Sequence, residues 1–351
     1  MKELREYIGC IHVHSVYSDG SGTYPEIIHD AQSAGLDYLM MSDHMNLKGR
    51  EEGFAGWHGN LFVSVGYEMN DADDRHHYLI FGLDNALSSE LTHEQYIKVV
   101  KEKKALGIAA HPFEERISRS ALPGYPAITW SSLDYPEIET IELWNMMSHW
   151  LELTTMKNVL WNVVHPRSFS TFPSKKLIDW WDNANLVRKV TAIGSIDVHA
   201  TKFKILCLFP KAIFDYKVMF KSIRTHLLTN EEWKQSDPLE KTEAEIRKII
   251  SSGNCFFSNY RRGDAKGFRM WAENGSELIG MGETGHWKSA TVRAILPKKA
   301  VCRLIRNGQP VFEQKTDNLE IKVDEGVYRL EAEKDHRGWI YSNHIRIKEN
   351  G

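Results

Sequence analysis

The chain has 351 residues, 42% of them hydrophobic, enough for one large α/β domain with a smaller companion. Its 44 basic and 47 acidic residues give a formal net charge of -3 and are scattered without a long run of either sign, which argues against a nucleic-acid partner. Cys10, Cys207, Cys255 and Cys302 form no CxxC pair, no apolar h-region opens the chain, and no apolar stretch approaches membrane-spanning length; a soluble cytoplasmic protein with reduced thiols and no membrane partner is expected.

From residue 8 to about 255, short apolar runs alternate with helical patterns, the signature of a parallel α/β architecture. "YIGCIHV" reads as a strand. Thr23-x-x-Glu26 is a capping box with Pro25 in the first turn, and Ile27, Ile28, Ala31 and Ala34 follow at helical spacing up to Gly35. "LDYLMMS" is the next strand. "LFVSVGY" and "YLIFGL" are separated only by Glu68 to His77, too short for a parallel crossover, so an antiparallel hairpin is expected. Thr92-x-x-Gln95 opens a helix closed by Gly107. "IAA", "IETIELW" and, beyond a tryptophan-rich segment, "VTAIGS" are further strands, and a last helix runs from Asp237-Pro238 to Gly253. From about residue 264 the pattern becomes all-β. "FRMWAENGSELIGMG" and "VCRLIRNGQPVFEQ" each carry an Asn-Gly hairpin signal, and the tail reads as a small sandwich-like domain over 261–351, after an α/β domain over 1–260.

Acidic and imidazole residues fall at the ends of these strands. His12 and His14 close the first and, two apart, point to one face; His44 follows the second and Glu68 the third. His77 begins the returning strand, His111 closes the next, and Asp197 and His199 follow the last. In a parallel barrel such positions converge on the C-terminal rim. With Asp19 in the turn after the first strand, nine groups exceed the needs of one ion. They point to two or three divalent ions with a bridging carboxylate, and imidazole with carboxylate suits Zn, Mn or Fe.

In this order, "HVHSVYSDG", "SDH", "GYE", "HYLIFGL", "AHPF" and "DVH" resemble the PHP (polymerase and histidinol phosphatase) family of metal-dependent hydrolases over roughly residues 8 to 256. The tail, with "GVYRLEAE" and "WIYSNHIRI", is similar to the carbaryl-hydrolase-like (CehA/McbA) branch. The resemblance implies a distorted (β/α)7 TIM-like barrel with a trinuclear centre. Residue by residue, His12, His14, Glu68 and Asp197 would hold one ion, Glu68, His77 and His111 a second, and Asp19, His44 and His199 the third. His76 competes with His77 for its place. Ile196 stands where the family usually has a small polar residue.

The chemistry expected is hydrolysis of a phosphate ester by a metal-bridging hydroxide, on a small molecule or nucleotide, with Glu68, Asp197 and His111 essential to turnover. Hydrolysis of a carboxylic ester or carbamate and an inactive scaffold are the rivals. Asp43 is either an acceptor behind the cluster or a turn cap. Arg116, Arg119, Arg167 and Lys202 are candidate clamps for the phosphoryl oxygens, and Asn145 a candidate substrate contact. Among Trp144, Trp150, Trp161, Trp180 and Trp181, one or two are candidates to stack on a ring, the others being core. A homo-oligomer formed through the tail is a further expectation.

Overall fold

The computed structural model describes residues 4–114, 127–205, 209–212 and 214–349. The strand Arg5–Ile11 pairs in parallel with Tyr38–Met41, which pairs in parallel with Leu61–Val65. Between the first two runs the helix Tyr24–Ser33, where Glu26 accepts the Thr23 N–H at 2.9 Å and Gly35 exits at φ 70°. That left-handed exit suits glycine. The second expected box also forms, at the head of the helix His93–Glu102, with the Thr92 N–H on Gln95 Oε1 at 2.9 Å. Gly107 does not close that helix. Lys104 takes the left-handed position, and Gly107 lies inside the strand Leu106–Ala109, where a Cβ would meet the Tyr78 hydroxyl at 2.2 Å.

The expected hairpin is present: Tyr67–Met69 pairs antiparallel with Tyr78–Phe81. "LFVSVGY", however, is not one strand. The chain changes sheets at Gly66, whose backbone passes so near the next strand that a Cβ would lie 2.3 Å from the Ile80 carbonyl oxygen. A second, five-stranded sheet therefore begins at Tyr67 and runs through Tyr78–Phe81, Leu106–Ala109, Thr140–Asn145 and Thr191–Ser195. Its last two junctions are parallel.

These two sheets do not close into the expected barrel. Among the described residues no ladder joins them: one seam has the isolated bridge His44–Glu68 and the other Val13–Val198, with scattered backbone hydrogen bonds such as Ile196 N–H to the Ile11 carbonyl. Side chains occupy the place of a closing ladder beside Thr191–Ser195. Thr225 Oγ1 accepts the Gly194 N–H at 3.1 Å and donates to the Gly194 carbonyl at 2.7 Å. Asn343 does the same for Ala192, at 2.8 and 2.9 Å. Buried backbone groups need partners, and here two amino-acid side chains supply what a neighbouring strand would.

The β-rich tail continues the first sheet. Beyond Arg5–Ile11 that sheet runs antiparallel through Ile223–Thr229, Cys255–Asn259 and Arg337–Ser342, and with the tail strands it reaches 14 strands. The expected small sandwich is thus joined edge to edge with the N-terminal strands, around its own apolar cluster that includes Met270, Val292, Leu304, Leu330 and Trp339. The long strand Ser289–Arg306 is bulged between Ile295 and Ala300 and changes partner from Arg269–Asn274 to Gly326–Lys334. Of the two Asn-Gly signals, Asn307-Gly308 forms the two-residue turn with both φ positive, the arrangement that matches strand twist. At Asn274-Gly275 the register slips by one, so that Gly275 and Ser276 make the turn. No described helix is long and apolar enough to cross a membrane.

Candidate metal centre

The nine strand-end residues come together. His12 and His14 follow directly on the strand Arg5–Ile11, and both are fully buried. His12, His111 and Asp197 have positive φ, at 71°, 27° and 51°. A non-glycine residue there is strained, and that strain turns each chain end so that the side chain points inward. Asp43 accepts from the Ser15 N–H, the Ser15 and Ser18 hydroxyls and the Tyr24 hydroxyl, at 2.7 to 3.2 Å, and so ties down the turn that carries Asp19.

Glu68 lies at the middle of the group. Its Oε1 is 2.8 Å from His77 Nδ1 and 3.3 Å from His111 Nε2; its Oε2 is 2.9 Å from His12 Nε2, 3.2 Å from His14 Nε2 and 3.6 Å from His44 Nδ1. Asp197 Oδ1 stands 3.3 and 3.5 Å from His12 and His14 Nε2. Asp19, half exposed, approaches His199 Nε2 at 3.2 Å, His14 Nδ1 at 3.5 Å and His44 Nε2 at 3.7 Å.

Ring orientation sorts the imidazoles. His12 and His14 are tilted by 50°, His77 and His111 by 66°, and His44 and His199 by 35°. His14 instead stacks on His199 at 4.1 Å and 13°. An imidazole lone pair lies in its ring plane, so parallel stacked rings cannot aim at one point while tilted rings can. The same test applies to a separate group formed by Asp71, His76 and His93. His76 and His93 stack at 3.9 Å and 13°, and the nitrogens of His76 are taken by Asp71 and Ser131. That group tethers the loop before the Tyr78–Phe81 strand. It also separates the neighbouring histidines: His77 faces Glu68, and His76 faces away.

The electrostatics follow from packing imidazoles among carboxylates. Burial opposes a charge on His12, but Asp197, Glu68 and Glu142 push it well above the usual value. Against the same penalty, Asp197 and Glu68 raise His14 to about 9, and Glu68 and Asp74 raise His77 to about 10. Glu68 and Asp197, despite burial, are held well below the usual carboxylate range by the surrounding histidines, His12 first. Among the described residues no Lys or Arg pairs with Glu68, Asp197 or Asp19. His14 Nε2 is buried without a hydrogen bond, aimed between Glu68 and Asp197. A buried set of imidazoles and carboxylates with no cation of its own, and with an orphaned ring nitrogen, fits divalent transition ions.

Glu142 escaped the sequence reading. Fully buried in Thr140–Asn145, it lies 2.8 Å from His12 Nδ1, accepts the His111 N–H at 2.8 Å and accepts from Asn145 Nδ2 at 2.7 Å. A carboxylate behind a ligating histidine fixes its tautomer and ring orientation. The only sequence signal is an acidic residue in the apolar run "IETIELW". Asn145 was expected to meet substrate. Its amide instead donates to Glu142 and, at 3.3 Å, to Asp197, and its Oδ1 caps the helix Met146–Leu153 by accepting the Ser148 N–H.

Arg167 is half-buried and donates to the Lys221 carbonyl at 3.1 Å. Arg116 and Arg119 lie outside the described residues, as does the side chain of Lys202, which begins the strand Lys202–Ile205. Trp144, Trp150 and Trp181 are core; Trp161 is exposed. A cleft opens beside His111, lined among others by Phe113, Asn145, Ser148, His149 and Glu152. His149 Nδ1 accepts the Trp144 indole N–H at 3.0 Å, and burial lowers its pKa to about 4. It is a neutral imidazole with its proton on Nε2.

No curated protein matches the chain. Solved structures similar to it include a two-domain protein containing a predicted PHP-like metal-dependent phosphoesterase from Bacteroides vulgatus, at 13% identity over 97% of this chain and 95% of the other, with a TM-score of 0.45. Another, named by inference a metal-dependent phosphoesterase, comes from Bifidobacterium adolescentis, at 14% identity over 54% of this chain and 87% of the other, with a TM-score of 0.32. Residues 11–119, which carry seven of the nine clustered residues, from His12 to His111, match the family model of the PHP domain.

Proposed function

We propose that this protein is a metal-dependent phosphoesterase whose centre holds two or three divalent ions, Zn, Mn or Fe. The observation that carries the reading is the division of Glu68, with Oε1 toward His77 and His111 and Oε2 toward His12 and His14. A carboxylate so placed would be shared between two ions, were they bound. His12, His14 and Asp197 complete the first set, His77 and His111 the second, and Asp19, His44 and His199 form the third. The ring angles support the partition, because the pairs assigned to a common ion are tilted and His14 and His199, assigned to different ions, are stacked. Residues 1–260 form the hydrolase domain and 261–351 a β-domain of the carbaryl-hydrolase-like kind.

When bound, the ions would supply a water nucleophilic at neutral pH and neutralise charge on a phosphoryl oxygen. The chain's own part is positional. Glu142 and Asn145 hold His12, His111 and Asp197 in place, so no reorientation is needed during turnover. The cleft beside His111 receives the rest of the substrate, and His149 Nε2 offers a neutral N–H donor there.

The test is phosphate release from a panel of phosphomonoesters and nucleotides by Mn-loaded protein, alongside a chelated sample and His111→Ala. Release by the loaded protein alone is the expected result. Release that persists after chelation, or in His111→Ala at the parent rate, would sink the assignment.

A further inference from the structure

The short helix Val159–Val164 is inside out. Its polar Asn162 is buried, donating from Nδ2 to Thr154 Oγ1 at 2.9 Å, and its carbonyl accepts the Trp150 indole N–H at 3.3 Å. Three of its five apolar residues face solvent, while Val163 packs against the core. Leu160, Trp161 and Val164 are 81%, 62% and 70% exposed, and Met156, just ahead of the helix, is 73% exposed. Single exposed apolar side chains are ordinary; four from one helix and the turn before it mark a contact surface.

Along the chain, this surface is flanked by charge of one sign. From Leu153 to Ile178 the chain carries Lys157, Arg167, Lys175 and Lys176 and no carboxylate, within a protein of net charge -3. Arg261 adds to it, donating to Ser168 Oγ at 3.0 Å and lying near enough to Arg167 to help lower its pKa, after burial. Asp179, at the boundary, is already paired with Lys175 at 2.6 Å. The same excursion lines the cleft beside His111, through Ser148, His149 and Glu152 before the exposed helix and Ser174 and Leu177 after it.

We propose that this face docks the protein peripherally on an anionic phospholipid surface, with Trp161 and Leu160 entering the headgroup layer and Lys157 and Arg261 facing lipid phosphates. Tryptophan beside aliphatic residues with a cationic rim is the composition of an interfacial anchor. A second copy of the chain fits less well. Four side chains offer on the order of a few hundred Å2, short of the roughly 800 Å2 per partner of a stable protein interface, and a two-fold contact would oppose like charges. The docking differs from the sequence expectation of no membrane partner, and needs no spanning helix. It is independent of the hydrolytic reading.

The experiment is co-sedimentation of the full chain with vesicles of phosphatidylcholine alone and of phosphatidylcholine mixed with phosphatidylglycerol. Binding to the anionic vesicles that weakens with salt is expected. Leu160→Ser and Trp161→Ser should each reduce partitioning by about tenfold or more, the scale of one buried apolar side chain, with an unchanged melting temperature because both sites are exposed. Brominated lipid should quench part of the tryptophan emission of the parent and less in Trp161→Phe. No binding to either vesicle, or equal salt-insensitive binding to both, would overturn the proposal. So would light scattering showing a parent dimer that Leu160→Ser converts to a monomer.

Discussion

At the scale of single residues, Glu142 shows what a buried carboxylate does without touching an ion. Glu142→Gln keeps the shape but weakens the hold on His12. Metal affinity should fall by about 10–100-fold, the usual cost of losing such a partner. Equilibrium dialysis against a metal buffer measures this, and parent-like affinity would assign Glu142 a purely structural role. The histidines carry a pH dependence whose sign follows from their raised pKa values. In metal-stripped protein the stability contributed by protonated His14 and His77 is complete below the usual histidine value of 6.5. It is lost as pH rises through about 9 and about 10. Metal affinity should run the other way, rising with pH as the ions displace those protons. Melting temperatures of chelated and loaded protein across that window should therefore diverge as pH rises; parallel curves would count against the coupling.

Most of the clustered residues were legible because they stand at one end of an apolar run, Asp19 in its turn being the exception. Glu142 was not. Glu139 and Glu142 look alike in "IETIELW", and only tertiary packing leaves the first half exposed and the second buried. Asn145 has a second part that its strand-end position did not announce: a strand end is where the rim lies, but it is also where a helix needs its cap.

At the scale of elements, local signals did well and long-range pairing did not. Both capping boxes, the Gly35 exit and the Asn307-Gly308 turn depend on neighbours within a few residues. The break in "LFVSVGY" depends on Ile80, brought beside Gly66 only by the hairpin. Gly66→Ala would press a methyl against that backbone carbonyl and should destabilise the protein by about 1–3 kcal/mol, the typical cost of overpacking. Chemical denaturation would show it as a lower midpoint with an unchanged slope. Barrel closure failed for a like reason. Nothing within "VTAIGS" announces that Thr225 and Asn343 will occupy its open edge.

At the scale of the whole molecule, the tail is fastened to the N-terminal part by charges buried between them. Asp182 accepts from Arg329 Nε and Nη2 at 2.6 and 2.8 Å and lies 2.9 Å from His344 Nε2. Burial works against the charge on Asp182, yet Arg329 and His344 draw its pKa down to about 2. Removing one partner of a buried pair strands the other, so Asp182→Ala should cost about 3–5 kcal/mol. Asp182→Asn, which can still accept one hydrogen bond, should cost less. Equal losses in thermal or denaturant unfolding would show that shape, not charge, holds the joint.

The side chains that complete the Thr191–Ser195 edge also set an order of events during synthesis. Asn343 meets Ala192 across 151 residues of chain. Until the final strands emerge from the ribosome, the strand that leads to Asp197 has backbone groups without their partners. Contacts this distant in sequence form late, after the entropy of a long loop has been overcome. The nascent N-terminal region thus waits for the tail, and a ribosome stalled anywhere before Asn343 holds a chain in which the Ala192 backbone groups lack that partner.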